Sequence, residues 1–139
     1  MIEVGQVLWL KIRFNNSGDL ATSAHPCIVI SINDNFVEII QLSSLEDKKH
    51  KAFFKSNKVI CCTDPIETVI NKDSLAQLDN KYTIEKFPEL INYRRHADKL
   101  SPLKLQNLIS SYYDYHANNA LEENRIVYMA KEDIITINS

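Results

Sequence analysis

The residues able to do chemistry gather at the ends of two apolar runs. His25 opens the run His25-Pro26-Cys27-Ile28-Val29-Ile30-Ser31, and Ser43 and Ser44 close the run Ile39-Ile40-Gln41-Leu42-Ser43-Ser44. Both runs are rich in β-branched residues and read as strands. Paired in one small sheet, they would bring an imidazole and two hydroxyls to the same end. The imidazole titrates near neutral pH and can act as general acid or base. A hydroxyl can hold or polarise a phosphate oxygen. A basic segment leaves from that end: Lys48, Lys49, Lys51, Lys55 and Lys58, with no acid between Lys48 and Lys58 and with His50, Phe53 and Phe54 interleaved. Lysines neutralise phosphates, and aromatic rings stack on unpaired bases. Imidazole, hydroxyl and local positive charge together suit phosphodiester chemistry.

Each of these groups also has a plainer reading. His25 precedes a proline, which biases its backbone to extended conformations. A histidine there also serves as a surface or capping group. Ser43 and Ser44 are also a turn pair that bonds local backbone. No Gly-x-Ser-x-Gly elbow surrounds them, which argues against a hydrolase nucleophile. The lysine-rich segment is also a solvated loop, and the expected place of Phe53 and Phe54 is the core. Lys11 and Arg13, at the end of the first strand, point toward the same cleft and complete an RNA-contacting set of Lys11, Arg13, Ser44, Lys49, Lys51 and Lys55. Arg94, Arg95 and His96 read as a solvated helix end, and Trp9 as a core anchor. Tyr112, Tyr113, Tyr115 and His116 are spaced for packing or a subunit interface. No His, Cys, Asp and Glu grouping has metal-ligand spacing, and two glycines cannot supply a phosphate-binding loop. Neither metal nor cofactor is expected.

The elements that must position these groups follow from the patterning. The chain has 139 residues, 45% of them hydrophobic and 24% charged, which suits a single domain over residues 1–139 with a modest core. A net charge of −2 excludes a strongly basic nucleic-acid coat but not a local basic patch. No apolar run is long enough to span a bilayer, and the N-terminus lacks the pattern of a signal peptide. Three cysteines, two of them adjacent, make no disulfide framework and point to reduced thiols in the cytoplasm.

Residues 4–14 read as a central strand, apolar on both faces. Residues 15–19 are a turn cluster, followed by a polar loop to Ala24. Residues 25–42 read as a hairpin around Asn33-Asp34-Asn35. Short strands are expected at residues 58–62, 66–70, 74–78 and 82–84, and a short helix at residues 87–93. Ser101-Pro102 starts a helix, with serine as N-cap and proline at the first position. Leu105, Leu108, Ile109, Tyr112, Tyr113 and His116 form its apolar stripe, and Asn118-Asn119 ends it. Residues 125–137 read as a strand pair or a strand with a loose tail. Strands first and helix late define an α+β fold.

On these residues the chain resembles the MazF/PemK-type toxin superfamily. Gly5-Gln6-Val7-Leu8-Trp9-Leu10 resembles the family's opening strand, and the run from His25 to Ser31 its Arg-Pro-hydrophobic strand. The run from Ile39 to Ser44 is similar to the strand that ends in the family's threonine, and the helix from Ser101 to the family's late helix. The resemblance implies a small SH3-like β-barrel with a C-terminal helix. It implies a homodimer, a cognate antitoxin, and metal-independent cleavage of single-stranded RNA to a 2′,3′-cyclic phosphate. The positions of the family's arginine and threonine carry His25 and Ser43, and only Gly18-Asp19 stands where the family has a glycine-rich loop. Ser43-Ser44 followed by Lys48-Lys49 is similar to the branch controlled by RNA antitoxins, where a lysine contributes. The implied catalytic set is His25, Ser43 and Lys48. The rival reading is a non-catalytic SH3-like module that binds RNA or a peptide in the same groove.

Overall fold

The computed structural model describes residues 1–13 and 23–139. Phe14, the turn expected at residues 15–19 and most of the loop after it lie outside the described residues. Seven strands form: β1 (Val7–Leu10), β2 (His25–Ile32), β3 (Phe36–Ser44), β4 (Asn57–Ile60), β5 (Ser74–Gln77), β6 (Lys81–Glu85) and β7 (Ile126–Met129). Two α-helices follow the main body of the sheet, α1 (Pro102–Asn118) and α2 (Lys131–Ile137). Short 3₁₀ segments cover Glu46–Lys51, Pro88–Tyr93 and Glu123–Arg125. The fold class is α+β, as the order of elements implied.

The sheet runs β1-β2-β3-β5-β4, with β6 also on β3 and β7 on β6. All pairings are antiparallel except β6 with β7. Among the described strands β1, β4 and β7 each pair with one neighbour only, so the sheet is not closed. The expected hairpin is present. Asn33 Oδ1 accepts from the backbone N–H groups of Asn35 and Phe36 at 3.0 and 2.7 Å, so one side chain sets the turn. β3 is the spine of the sheet. Its first half pairs with β6 through Ile39, and its last three residues pair with β5, Ser43 opposite Leu75. The sheet therefore divides between Ile39 and Leu42, just before Ser43.

Two apolar clusters lie on opposite faces, and alternation along β2 feeds both. Cys27 and Val29 join Leu8, Ile39, Ile84 and Leu90. Ile28 and Ile30 join Ile40, Leu42, Leu108 and Tyr112. β1 is an edge strand rather than a central one. Its outer edge meets the chain after Pro88–Tyr93 through a bridge between Leu8 and Arg94, and both of its faces are apolar because Leu8 and Leu10 enter one cluster while Val7 and Trp9 pack into the other.

Helix α1 confirms its expected bounds almost residue for residue. Leu108 and Tyr112 are fully buried, Leu105 and Ile109 half-buried, and Tyr113 is exposed. The cap differs from expectation. Ser101 does not cap the helix with its own side chain. Its backbone N–H and its Oγ–H both donate to the Glu67 carboxylate, at 2.9 and 2.8 Å. Lys104 Nζ pairs with Glu67 at 3.1 Å and also donates to the carbonyls of Cys61, Thr63 and Pro65. A single buried carboxylate thus fastens the helix start to the loop after β4. Gly5 seats the other side of that start. Its φ is +97°, and a Cβ there would lie 2.9 Å from Leu105 Cδ2.

Three expected elements are corrected. Residues 66–70 form no strand, because Glu67 is spent on the cap and Val69 and Ile70 pack into the core from a loop. Residues 87–93 form a 3₁₀ segment rather than an α-helix. Residues 131–137 are helix α2, not a tail. Asp133 Oδ2 accepts from the Ala130 N–H at 3.0 Å, which satisfies an orphan donor of the first turn. No helix of the described residues is long and apolar enough to cross a membrane.

Candidate functional site

The ends of β2 and β3 open into a cleft of about 540 Å³ whose lining includes His25, Ser43, Ser44 and Lys48. Sheet geometry explains the meeting. Cys27 lies opposite Gln41 in the β2–β3 ladder, and the same register carried two residues further faces His25 with Ser43. Lys48 arrives from the 3₁₀ segment that follows β3, at a non-helical position where that segment kinks. Trp9, Pro26 and Leu42 supply apolar wall.

Among the described residues Arg13, Glu38, Ser43 and Tyr112 each have a buried side-chain atom with no hydrogen-bond partner, and of these four Ser43 lines the cleft. It is 8% exposed, and its Oγ has no hydrogen-bond partner among the described residues. Buried hydroxyls are normally bonded, because an unmet one costs about 1–3 kcal/mol. The Ser43 Oγ itself has almost no exposed surface, and the residue that carries it lines the cleft. His25 is half-buried and its pKa is lowered, first by burial and then by the charge of Lys48. Both causes favour the neutral imidazole, the form that accepts a proton. Lys48 is half-buried too. Lys72 joins the lining with one acid, Asp47. The cleft lining therefore includes a base, hydroxyls and ammonium groups.

A second pocket, about 250 Å³, shares Ser43 and Lys48 and continues on their far side. Lys51, Phe54, Gln77, Asp79 and Arg125 contribute to its lining. Arg125 is fixed there by Asp79 at 3.1 Å and by Asn80 Oδ1 at 3.1 Å. Asn80 in turn donates to Tyr82 Oη at 3.0 Å, which ties this wall to the buried face of β6.

The residues singled out in the sequence divide as follows. His25, Ser43, Ser44 and Lys48 meet in the larger cleft, and Lys51 lines the pocket beyond it. Lys49 turns to another recess, with Cys62 and Asp73. Lys55 lines none of these cavities. Lys11 and Arg13 do not line the cleft either. The Arg13 guanidinium is engaged by Asp133 at 3.2 Å and by the Tyr128 carbonyl, so helix α2 holds it on another side. Lys11 is bound through its backbone to Asn138. Phe53 and Phe54 are not core residues: they are 92% and 56% exposed. Trp9 is half-buried rather than a full anchor, and Arg95 stacks on it with 3.8 Å from guanidinium carbon to ring centroid. Arg95 and His96 are exposed, as expected of a solvated end, and neither lines the cleft.

Sequence reasoning missed Lys72, Asn71 and Ile70 in the cleft and Arg125 in the pocket beyond it. Ile70 to Lys72 come from a loop with no period, and Arg125 from a three-residue 3₁₀ turn. No local signal marked either. The cysteines are free, and burial pushes the Cys27 thiol up to about 12, so it is an inert core group.

No protein-family model, curated protein or solved structure matches this chain. The fold defines an α+β protein with an open, mostly antiparallel sheet. Its functional reading rests on the cleft.

Proposed function

We propose that the chain is a toxin-type endoribonuclease of the MazF/PemK-like kind. It cleaves single-stranded RNA without a metal and works in the cytoplasm as a homodimer beside a cognate antitoxin, its strands forming an SH3-like barrel. The carrying observation is the buried, unpartnered Ser43 Oγ in one cleft with His25 and Lys48. A hydroxyl left without a protein partner beside a base and an ammonium group suits a phosphate oxygen as its missing partner.

The chemistry runs as an internal transesterification. Neutral His25 takes the proton of the ribose 2′-hydroxyl. The 2′-oxygen bonds to phosphorus, and the bond from phosphorus to the 5′-oxygen breaks. Ser43 Oγ–H and the Lys48 ammonium stabilise the charge on the phosphorane oxygens, the electrostatic contribution that is usually largest. Lys48 then protonates the leaving 5′-oxygen. The product is a 2′,3′-cyclic phosphate.

The test is cleavage of single-stranded RNA by purified protein in excess chelator, with the product ends identified. Expected are 2′,3′-cyclic phosphate ends, and a loss of about 10²–10⁴-fold in rate for His25→Ala. Inducible expression should arrest growth. Binding of RNA or of a peptide with no cleavage under any condition would move the protein to the non-catalytic module.

A further inference from the structure

We infer that the pocket beyond Ser43 and Lys48 is a nucleobase subsite, in which Phe54 stacks on the base next to the reacting phosphate and Asp79 reads its amino edge. The inference rests on the cleft being an RNA site and deepens it from chemistry to sequence preference. Its first support is continuity. Ser43 and Lys48 line both cavities, so a phosphate bound between them leaves one neighbouring nucleotide facing the second pocket. At about 250 Å³ that pocket suits one base rather than a chain.

The second support is Phe54. Large apolar side chains belong inside, yet this one is 56% exposed at the pocket wall. It is held there by its turn. Its N–H donates to the Lys51 carbonyl at 3.2 Å, and its own carbonyl accepts from the Asn57 N–H at 3.0 Å. The Asn57 side chain also donates to the Lys51 carbonyl at 2.9 Å. A rigidly presented, half-bare ring with lysines on either side is the arrangement that stacks on unpaired bases. Phe53, its neighbour, is 92% exposed but is not in the pocket wall, which makes it an internal control.

The third support is a hydrogen-bond acceptor in the pocket. Asp79 brings a carboxylate to a lining whose other charged groups are Lys48, Lys51 and Arg125, and Arg125 engages its Oδ2, which leaves Oδ1 as the acceptor. Carboxylates accept hydrogen bonds from amino groups on base edges. Arg125 and Asn80 fix this wall, so the acceptor is set in place before any base arrives. The Gln77 amide lines the same pocket and offers both a donor and an acceptor. Guanine, adenine and cytosine carry an exocyclic amino group; uracil does not.

The experiment measures binding of short RNAs that lack the attacking 2′-hydroxyl, with each base in turn at the two positions flanking that nucleotide. Wild type should prefer an amino-bearing base over uracil at one position. Phe54→Ala should weaken binding about 5- to 150-fold for every base there. Phe53→Ala should change it little. Asp79→Asn should erase the preference or turn it toward uracil, since the amide now donates, while the thermal melt stays in place. Equal losses for Phe53→Ala and Phe54→Ala, or a preference untouched by Asp79→Asn, would overturn the subsite. Cleavage is scored separately on unmodified RNA. Base preference in binding without cleavage would sink the catalytic reading and leave the subsite standing. Cleavage with no preference at either position would do the reverse.

Discussion

Two buried polar groups in this molecule are built in opposite ways. Glu67 at the start of α1 is saturated: Ser101 donates to it twice, and Lys104 closes an ion pair that is itself surrounded by backbone carbonyls. Ser43 at the end of β3 has nothing bonded to its Oγ among the described residues. Both are 8% exposed, so burial does not separate them. The partners do. A saturated group fastens the fold, and an unsatisfied one in a cleft lining is where the proposed function puts its ligand.

The comparison breaks first if Glu67 is not structural. Glu67→Ala leaves the Lys104 ammonium and the Ser101 N–H without their acceptor, and should cost about 3–5 kcal/mol in a denaturant titration. A loss below about 1 kcal/mol would remove the contrast. The same group sets an acid limit. Burial pushes the Glu67 pKa up, but the hydrogen bonds from Ser101 and the charge of Lys104 outweigh it, so the net shift is downward. Its contribution is therefore full above the ordinary carboxylate range and fades as pH falls through the lowered value.

Next in size is the packing that seats α1. Leu108 is fully buried in the cluster with Ile28 and Leu42. Leu108→Ala should cost about 2–5 kcal/mol. An unchanged melt would detach the helix from the sheet that carries Ser43. Gly5→Ala follows, at about 1–3 kcal/mol, from the positive φ and the approach of Leu105.

The smallest effect is a shift in a pH profile. With neutral His25 as base, kcat/KM should rise with pH through an apparent pKa below the usual 6.5. The sign follows from burial and Lys48, both of which disfavour the imidazolium. Lys48→Ala removes one of the two causes and should bring that apparent pKa upward. An apparent pKa above 6.5 in the wild type would exclude His25 as this base.

Much of the fold was legible because its strongest signals are local. The β2–β3 hairpin is written in β-branched alternation and one asparagine turn, and α1 in a Ser-Pro start and a clear stripe. Helix α2 was not legible, because seven residues carry too few turns to show a period. The first strand misled because its outer neighbour is a chain segment far along the sequence, near Arg94. In the site, His25, Ser43 and Ser44 were readable because strand register brings them together, and Lys48 because it lies on the turn that follows β3. Lys72 and Arg125 come from distant loops and only the tertiary fold delivers them. Phe53 and Phe54 defeated the rule that large apolar residues go inside. Sequence could not show that this basic tip stands off the core.

The most direct test of the account is Ser43→Ala measured twice, for stability and for RNA cleavage. Removing an unpartnered hydroxyl deletes no protein hydrogen bond, so unfolding free energy should stay within about 0.5 kcal/mol of wild type or rise slightly. Removing one donor to the transition-state charge should lower the cleavage rate by about 10²–10³-fold. A stable protein with that loss of rate is the predicted result. A destabilised protein, or a stable one that cleaves at the wild-type rate, would contradict the claim that Ser43 is held unsatisfied for the substrate.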